Sequence, residues 1–187
     1  RDGTSVSKKQ ISDKDFQKAY ALSRQFGFPI AVETDNGIFV NELNPIVIEL
    51  ARLVDHPVPP VIDIEKEFVE GKCCQLCFYC DEETEKEVMA QLPNLSASRW
   101  HPIFADINVK GVDKASGIRE FASYYDFDIS HTIAFGDGGN DISMLREAGI
   151  GIAMGGAAES IRAVSDYVTD TVDNDGIRNA LIHFGII

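Results

Sequence analysis

The stretch that decides the fold is Ala134-Phe135-Gly136-Asp137-Gly138-Gly139-Asn140-Asp141-Ile142. A short apolar run over residues 131–135 predicts a strand, a glycine-rich turn follows, and residues 140–148 read as a helix. In open α/β sheets, ligands bind beyond the carboxyl ends of the strands, and this pattern puts Asp137 at such an end. Gly136, Gly138 and Gly139 let the backbone turn sharply and approach a ligand closely. Asn140 and Asp141 stand at the helix start, where an amide or carboxylate serves as a cap. A single Asp-Gly pair would say no more than that. Two carboxylates and an amide in so short a span, among three glycines, form a denser cluster. Oxygen ligands of this kind suit a hard cation such as Mg2+, which keeps several of its waters.

Working outward, residues 150–154 read as an apolar strand, 157–164 as a helix, 167–169 as a short strand and 176–184 as a last helix. Upstream, residues 115–125 read as a helix. Strands that alternate with helices and are apolar throughout indicate βα units on a parallel sheet buried on both faces, which makes the fold class α/β. Lys114 stands at the start of the 115–125 helix, where ammonium and backbone amides together would attract an anion. By itself such a lysine is an ordinary surface residue. The next strand of a βαβ unit lies alongside, so Lys114 and Asp137 are expected to converge.

Residues 1–109 have a different texture. A helix starts at Ser12 or Asp13 and ends at Gly27, and Val6 marks a short strand before it. Strands over 28–33 and 38–40 form a hairpin about Asp35-Asn36-Gly37. Residues 45–54 read as a helix, and His56-Pro57-Val58-Pro59-Pro60 as a rigid loop. A strand over 73–80, an acidic helix over 82–92 and an extended segment over 96–109 follow. The expectation is a small α+β domain with an antiparallel sheet, residues 1–109, joined to an α/β part, residues 110–187. Three short parallel strands make a poor sheet alone, and the chain opens on Arg1 rather than Met. Both features lead to the expectation that an N-terminal segment lies outside it.

At Gly136-Asp137-Gly138-Gly139-Asn140-Asp141, preceded by the Lys114-led helix, the sequence resembles the third and fourth motifs of the haloacid dehalogenase superfamily. Its Cof-type sugar-phosphatase branch is the best match. Residues up to about Val109 look like that branch's inserted α+β cap, and the rest like the C-terminal half of its Rossmann-like core. The resemblance implies a Mg2+-dependent phosphohydrolase that works through an aspartyl-phosphate on small phosphorylated metabolites, sugar phosphates being the family-level expectation. It gives Lys114 to the phosphate, Asp137 to the metal, Asn140 to the phosphate or its surroundings, and Asp141 to Lys114 and metal-bound water. The family's nucleophile is an Asp of a DxDGT motif on the first core strand. Asp2-Gly3-Thr4 has neither the first Asp nor an upstream strand and reads as a turn. Thr34 sits in a hairpin and does not take the place of the family's Thr or Ser motif. The expectation is therefore that the nucleophile lies on a segment this chain lacks, so that the chain alone is inactive. The alternative is a truncated, non-catalytic binding or regulatory module.

Composition narrows the remaining choices. Of 187 residues, 44% are hydrophobic and 25% charged, which excludes a disordered or collagen-like chain. The net charge of -13 should repel nucleic acid and anionic membrane surfaces. No apolar run has the length of a membrane span, no leader is visible, and the four cysteines do not spread like a disulfide framework, so a reducing cytoplasm is expected. Cys74, Cys77 and Cys80 spell C-x-x-C-x-x-C, a spacing that could mark a metal or redox site. Period-two alternation argues against it, since it puts Cys74, Leu76, Phe78 and Cys80 on one face and Cys73, Gln75, Cys77 and Tyr79 on the other. His56, His101, His131 and His183 have no ligand spacing. Trp100 could line a substrate entrance but reads better as a packed aromatic, and the acidic run over 81–87 as a solvated helix face.

Overall fold

In the computed structural model, which describes residues 5–67 and 72–187, Ser12 starts helix α1 (Asp13–Phe26) by accepting from the Asp15 amide at 3.1 Å. Gly27 ends it in the left-handed region at φ 74°. The chain divides into two compact units. One is Lys8–Gly111, and the other is Val112–Ile187 with the leading segment that ends at Ser7. Asp2-Gly3-Thr4 lies outside the described residues. No strand forms at Val6, because this mostly polar segment has no apolar alternation to bury.

The Lys8–Gly111 unit continues with β1 (Ile30–Thr34), β2 (Gly37–Val40), α2 (Pro45–Leu53), α3 (Ile64–Glu67), β3 (Cys73–Phe78), α4 (Glu82–Met89), β4 (Leu95–His101) and β5 (Phe104–Val109). Its five strands form an antiparallel sheet in the order β2-β1-β3-β5-β4. One face packs Ile30, Val32, Leu76, Phe78 and Ile107 against Phe16, Ala19 and Leu22 of α1 and Val88 of α4. The other face packs Ala31, Cys77, Tyr79 and Phe104 against Val47 and Leu50 of α2. This is the alternation of a two-sided sheet.

The alternation fails at one place. Thr34 pairs with Cys73 while Glu33 pairs with Gln75, so Cys74 is the extra residue of a β-bulge. The bulge moves Cys73 onto the face of Leu76 and Phe78, in place of the expected face of Cys77 and Tyr79. Cys77 still faces away from Cys73 and Cys80. The thiols are free, and burial pushes those of Cys73 and Cys80 up to about 12 and about 11. Trp100 is 40% exposed, more open than a packed core aromatic.

The second unit contains α5 (Lys114–Tyr125), β6 (Ile133–Gly136), α6 (Ile142–Glu147), β7 (Ile150–Ala153), α7 (Glu159–Arg162), β8 (Tyr167–Val168) and α8 (Gly176–His183). The three strands are parallel in the order β6-β7-β8, with Ile133 opposite Ile150 and Gly136 opposite Ala153. The helix expected from residue 140 starts as a 3-10 turn, Gly139–Asp141, and is α only from Ile142. A small core of Ala134, Leu145, Ala153, Ala157 and Ile161 joins sheet and helices. Burial is less complete than expected of strands covered on both faces: Ile133 and Phe135 are half-buried, and Phe121, Tyr124 and Tyr125 of α5 are exposed.

Candidate active site

The glycine-rich turn is held in place by one carboxylate. Asp141 is 4% exposed, and its Oδ2 accepts from the amides of Asp137 and Gly138, both at 3.0 Å. Its Oδ1 accepts from Lys114 Nζ at 2.5 Å. Burial works to raise the Asp141 pKa. The Lys114 hydrogen bond and the Gly138 and Asp137 amides outweigh it and hold the carboxyl below its ordinary value. Gly136 makes room for this: a Cβ there would lie 2.5 Å from Asp141 Cβ. The residue needed at the strand end is therefore one with no side chain, for close approach rather than for turning.

Lys114 is the first residue of α5. Asp113 caps the helix, accepting from the Ser116 amide at 2.7 Å, while Ser116 Oγ accepts from the Asp113 amide at 2.9 Å. The Asp113 carboxylate thus takes one of the first-turn α5 amides, that of Ser116. The Lys114 side chain is 49% exposed, so its ammonium touches Asp141 and still faces solvent. Arg119 and Glu147, 2.9 Å apart, tie α5 to α6 beside it.

Lys114 and Asp137 are thus brought to one rim, but through an intermediary. The ammonium binds the Asp141 carboxylate, and the same carboxylate grips the Asp137 backbone. Asp137 itself is exposed just past the end of β6, so its carboxylate faces outward. Asn140 is half-buried, and its Oδ1 lies 2.7 Å from where a Cβ on Gly138 would stand. Sequence reasoning named Lys114, Asp137, Asn140 and Asp141. It missed the Asp113–Ser116 capping box, which the D-x-x-S spacing could have signalled.

Asp137 offers hard carboxylate oxygens of the kind Mg2+ takes, and the two Asp141 oxygens are engaged by Lys114 and the amides. No cluster of three or more His, Cys, Asp or Glu side chains able to hold a metal occurs among the described residues. The donor set fits an ion bound by few protein ligands and several waters, which is the usual habit of Mg2+.

This polar cluster, with a lysine paired to a buried carboxylate beside an exposed Asp137, lies beyond the carboxyl end of a parallel strand, where open α/β sheets bind their ligands. The chain belongs to the haloacid dehalogenase-like hydrolase family, whose family model matches residues 1–181. It is 40% identical over 121 residues to the putative phosphatase YkrA of Bacillus subtilis, a match covering 64% of this chain and 47% of that protein. It is 33% identical over 107 residues to 5-amino-6-(5-phospho-D-ribitylamino)uracil phosphatase YcsE of the same organism, covering 56% and 43%. The matched part is thus under half the length of either relative. Among solved structures, the phosphatase BT1666 of Bacteroides thetaiotaomicron superposes with a TM-score of 0.93 at 55% identity, covering 100% of this chain and 70% of that one. The subclass IIB sugar phosphatase BT4131 superposes with a TM-score of 0.88 at 37% identity, covering 97% and 70%. No helix among the described residues is long and apolar enough to cross a membrane.

Proposed function

We propose that the whole protein is a Mg2+-dependent phosphohydrolase of small phosphorylated metabolites, sugar phosphates foremost, in which Lys114 binds the phosphate and Asp137 the metal. The observation that carries this reading is the single buried carboxylate of Asp141, bonded at once to Lys114 and to the backbone of Asp137. Such a link sets a cation and an outward-facing carboxylate at one strand end before any substrate arrives. Preorganised charge of this kind is the main lever in phosphoryl transfer.

In this reading the nucleophilic Asp of the family's first-strand motif displaces the substrate's alcohol from phosphorus. Water then cleaves the aspartyl-phosphate to inorganic phosphate. The half-exposed ammonium of Lys114 offsets the negative charge of the phosphoryl oxygens. Asp141 keeps that ammonium oriented, and Asn140 lies within the same turn to contact the phosphate or its surroundings. Mg2+, when bound at Asp137, supplies further positive charge to the phosphate oxygens. The Lys8–Gly111 unit takes the part of the family's cap and selects the substrate. Four free cysteines suit a reducing cytoplasm.

The test is phosphate release by the full-length protein carrying Lys114→Ala or Asp137→Ala. Each is expected to lower turnover by roughly a hundredfold or more, the scale of losing one preorganised electrostatic contact. Near-normal turnover in either variant rejects the role given to that residue.

A further inference from the structure

The β1–β2 hairpin closes through Asp35 and Asn36, with Thr34 paired opposite Gly37. Short hairpin loops usually take positive φ at their central residues, which matches the twist of the strands. Here neither Asp35 nor Asn36 does, and the left-handed angle falls on Gly37, at φ 121°. The loop therefore needs glycine after the asparagine. Thr34 braces it: the Asn36 backbone amide donates to Thr34 Oγ1 at 3.1 Å, and that hydroxyl donates to the Gly37 carbonyl at 3.2 Å. Asp35 pairs with Lys8 at 2.5 Å. The Asn36 side-chain amide has no hydrogen-bond partner among the described residues.

Asn36-Gly37 is the only Asn-Gly pair of the chain. Both residues are exposed, and a Cβ on Gly37 would meet nothing within 4 Å. Gly37 thus has no side chain to keep its nitrogen from the Asn36 side-chain carbonyl carbon, and no neighbour crowds the place where one would stand. That nitrogen belongs to the closing pair of the hairpin, but an exposed tip opens locally at far lower cost than a core strand. Every other asparagine precedes a residue that carries a side chain. Several are also engaged: Asn41 and Asn44 accept backbone amides at 2.8 and 3.0 Å, and Asn179 donates to Asp170 at 2.9 Å. Asp137-Gly138 and Asp175-Gly176 have the glycine, but an ionised carboxylate is a poor target for attack. Their glycine amides are held besides, by Asp141 Oδ2 and by the Thr171 carbonyl, both at 3.0 Å.

We propose that Asn36 is a site of spontaneous covalent modification, deamidation through a cyclic imide. The Gly37 backbone nitrogen gives up its proton and attacks Asn36 Cγ. An N–Cγ bond forms, the Cγ–Nδ2 bond breaks, and Nδ2 leaves as ammonia, taking up that proton. Water then opens the ring at either carbonyl. Opening at Cγ gives aspartate; opening at the backbone carbonyl gives isoaspartate, in which the main chain runs through Cβ. No oxidant, reductant or enzyme enters, and the reaction needs no part of the phosphohydrolase site. The isoaspartate link adds an atom to the main chain of a tight loop, so Thr34 cannot stay opposite Gly37 without strain. Either product puts a second carboxylate next to Asp35, where it competes for Lys8.

The purified chain is held in mildly alkaline buffer at physiological temperature and sampled over weeks. Anion exchange follows the gain of negative charge, peptide mapping with fragmentation places it at one residue, and enzymatic methylation detects isoaspartate. Asn36 is expected to convert roughly tenfold or more faster than any other asparagine, because a following glycine and an exposed tip both favour ring closure. The product at residue 36 is expected to contain isoaspartate as well as aspartate. Asn36→Gln keeps an amide but needs a larger, slower-closing ring, and is expected to abolish the new acidic species. A second asparagine that keeps pace, aspartate alone at residue 36, or an unchanged rate of acidic product in Asn36→Gln overturns the proposal. The peptide map of the natural sequence decides the matter even if the variant fails to fold.

Discussion

Asp141 does more than a cap residue. Its two oxygens take three donors, an ammonium and two backbone amides, within a nearly closed environment. Replacing it with Asn leaves one oxygen to serve all three and turns an amide N–H towards groups that are themselves donors. Asp141→Asn is expected to cost about 1–3 kcal/mol, the penalty for leaving buried partners unsatisfied, read from denaturant unfolding. The pH dependence has a definite sign. The folded-state pKa of Asp141 lies below its ordinary 3.8, so its contribution is fully present above that value and fades as pH falls through the folded pKa. The stability gap between the natural protein and Asp141→Asn should therefore be constant from neutral pH down to about pH 5 and shrink below about pH 4. A gap that instead widens on acidification contradicts this account. Gly136→Ala tests the same pocket from the other side. A methyl group 2.5 Å from Asp141 Cβ has to push that side chain away. The expected cost is roughly 1–3 kcal/mol of overpacking, seen in thermal unfolding, with a matching fall in the full-length protein's phosphate release.

At the scale of elements, the site depends on where α5 begins. Lys114 is its first residue, so fraying of the first turn would release the ammonium from Asp141. The reciprocal Asp113–Ser116 bonds prevent this. Asp113→Ala is expected to cost about 1 kcal/mol of stability by chemical denaturation, the usual worth of an N-cap. It should weaken substrate binding more than Arg119→Ala does, since that change removes only an ion pair with partly exposed side chains. Equal effects of the two substitutions would mean that the cap does not position Lys114. The elements themselves were largely legible in the sequence. Apolar periodicity located α1, α2, α5, β6 and β7 to within a few residues of their observed bounds, because each carries its own local pattern and start or stop residue. The bulge at Cys74 was not legible. It arises from how Thr34 and Glu33 pair across to β3, and neither strand's own alternation records that pairing.

Over the whole molecule, each unit is held by apolar clusters drawn from its own segments: two on the faces of the five-stranded sheet, and one small cluster behind the parallel sheet. The chain as a whole carries a net charge of -13. At neutral pH and low salt the protein is expected to bind an anion exchanger and to pass unretained through heparin, a polyanion. Retention on heparin under those conditions would show a basic face that the composition gives no reason to expect. The same charge makes Lys114 significant. On an acidic protein, a phosphate needs a local cation, and Asp141 holds one at the strand end.

By itself, the amino-acid sequence determined that this is an α/β chain with an α+β part before it, and it singled out residues 137–141 as the candidate site. Those features are local: an apolar run, a glycine turn and polar residues at a helix start can all be read within a dozen positions. Only the tertiary structure decided that Lys114 reaches Asp137 by way of Asp141 and that Gly136 is needed for room. The physical reason is that strand register and side-chain packing join residues distant along the chain, and those contacts leave no periodic trace in either partner's own neighbourhood.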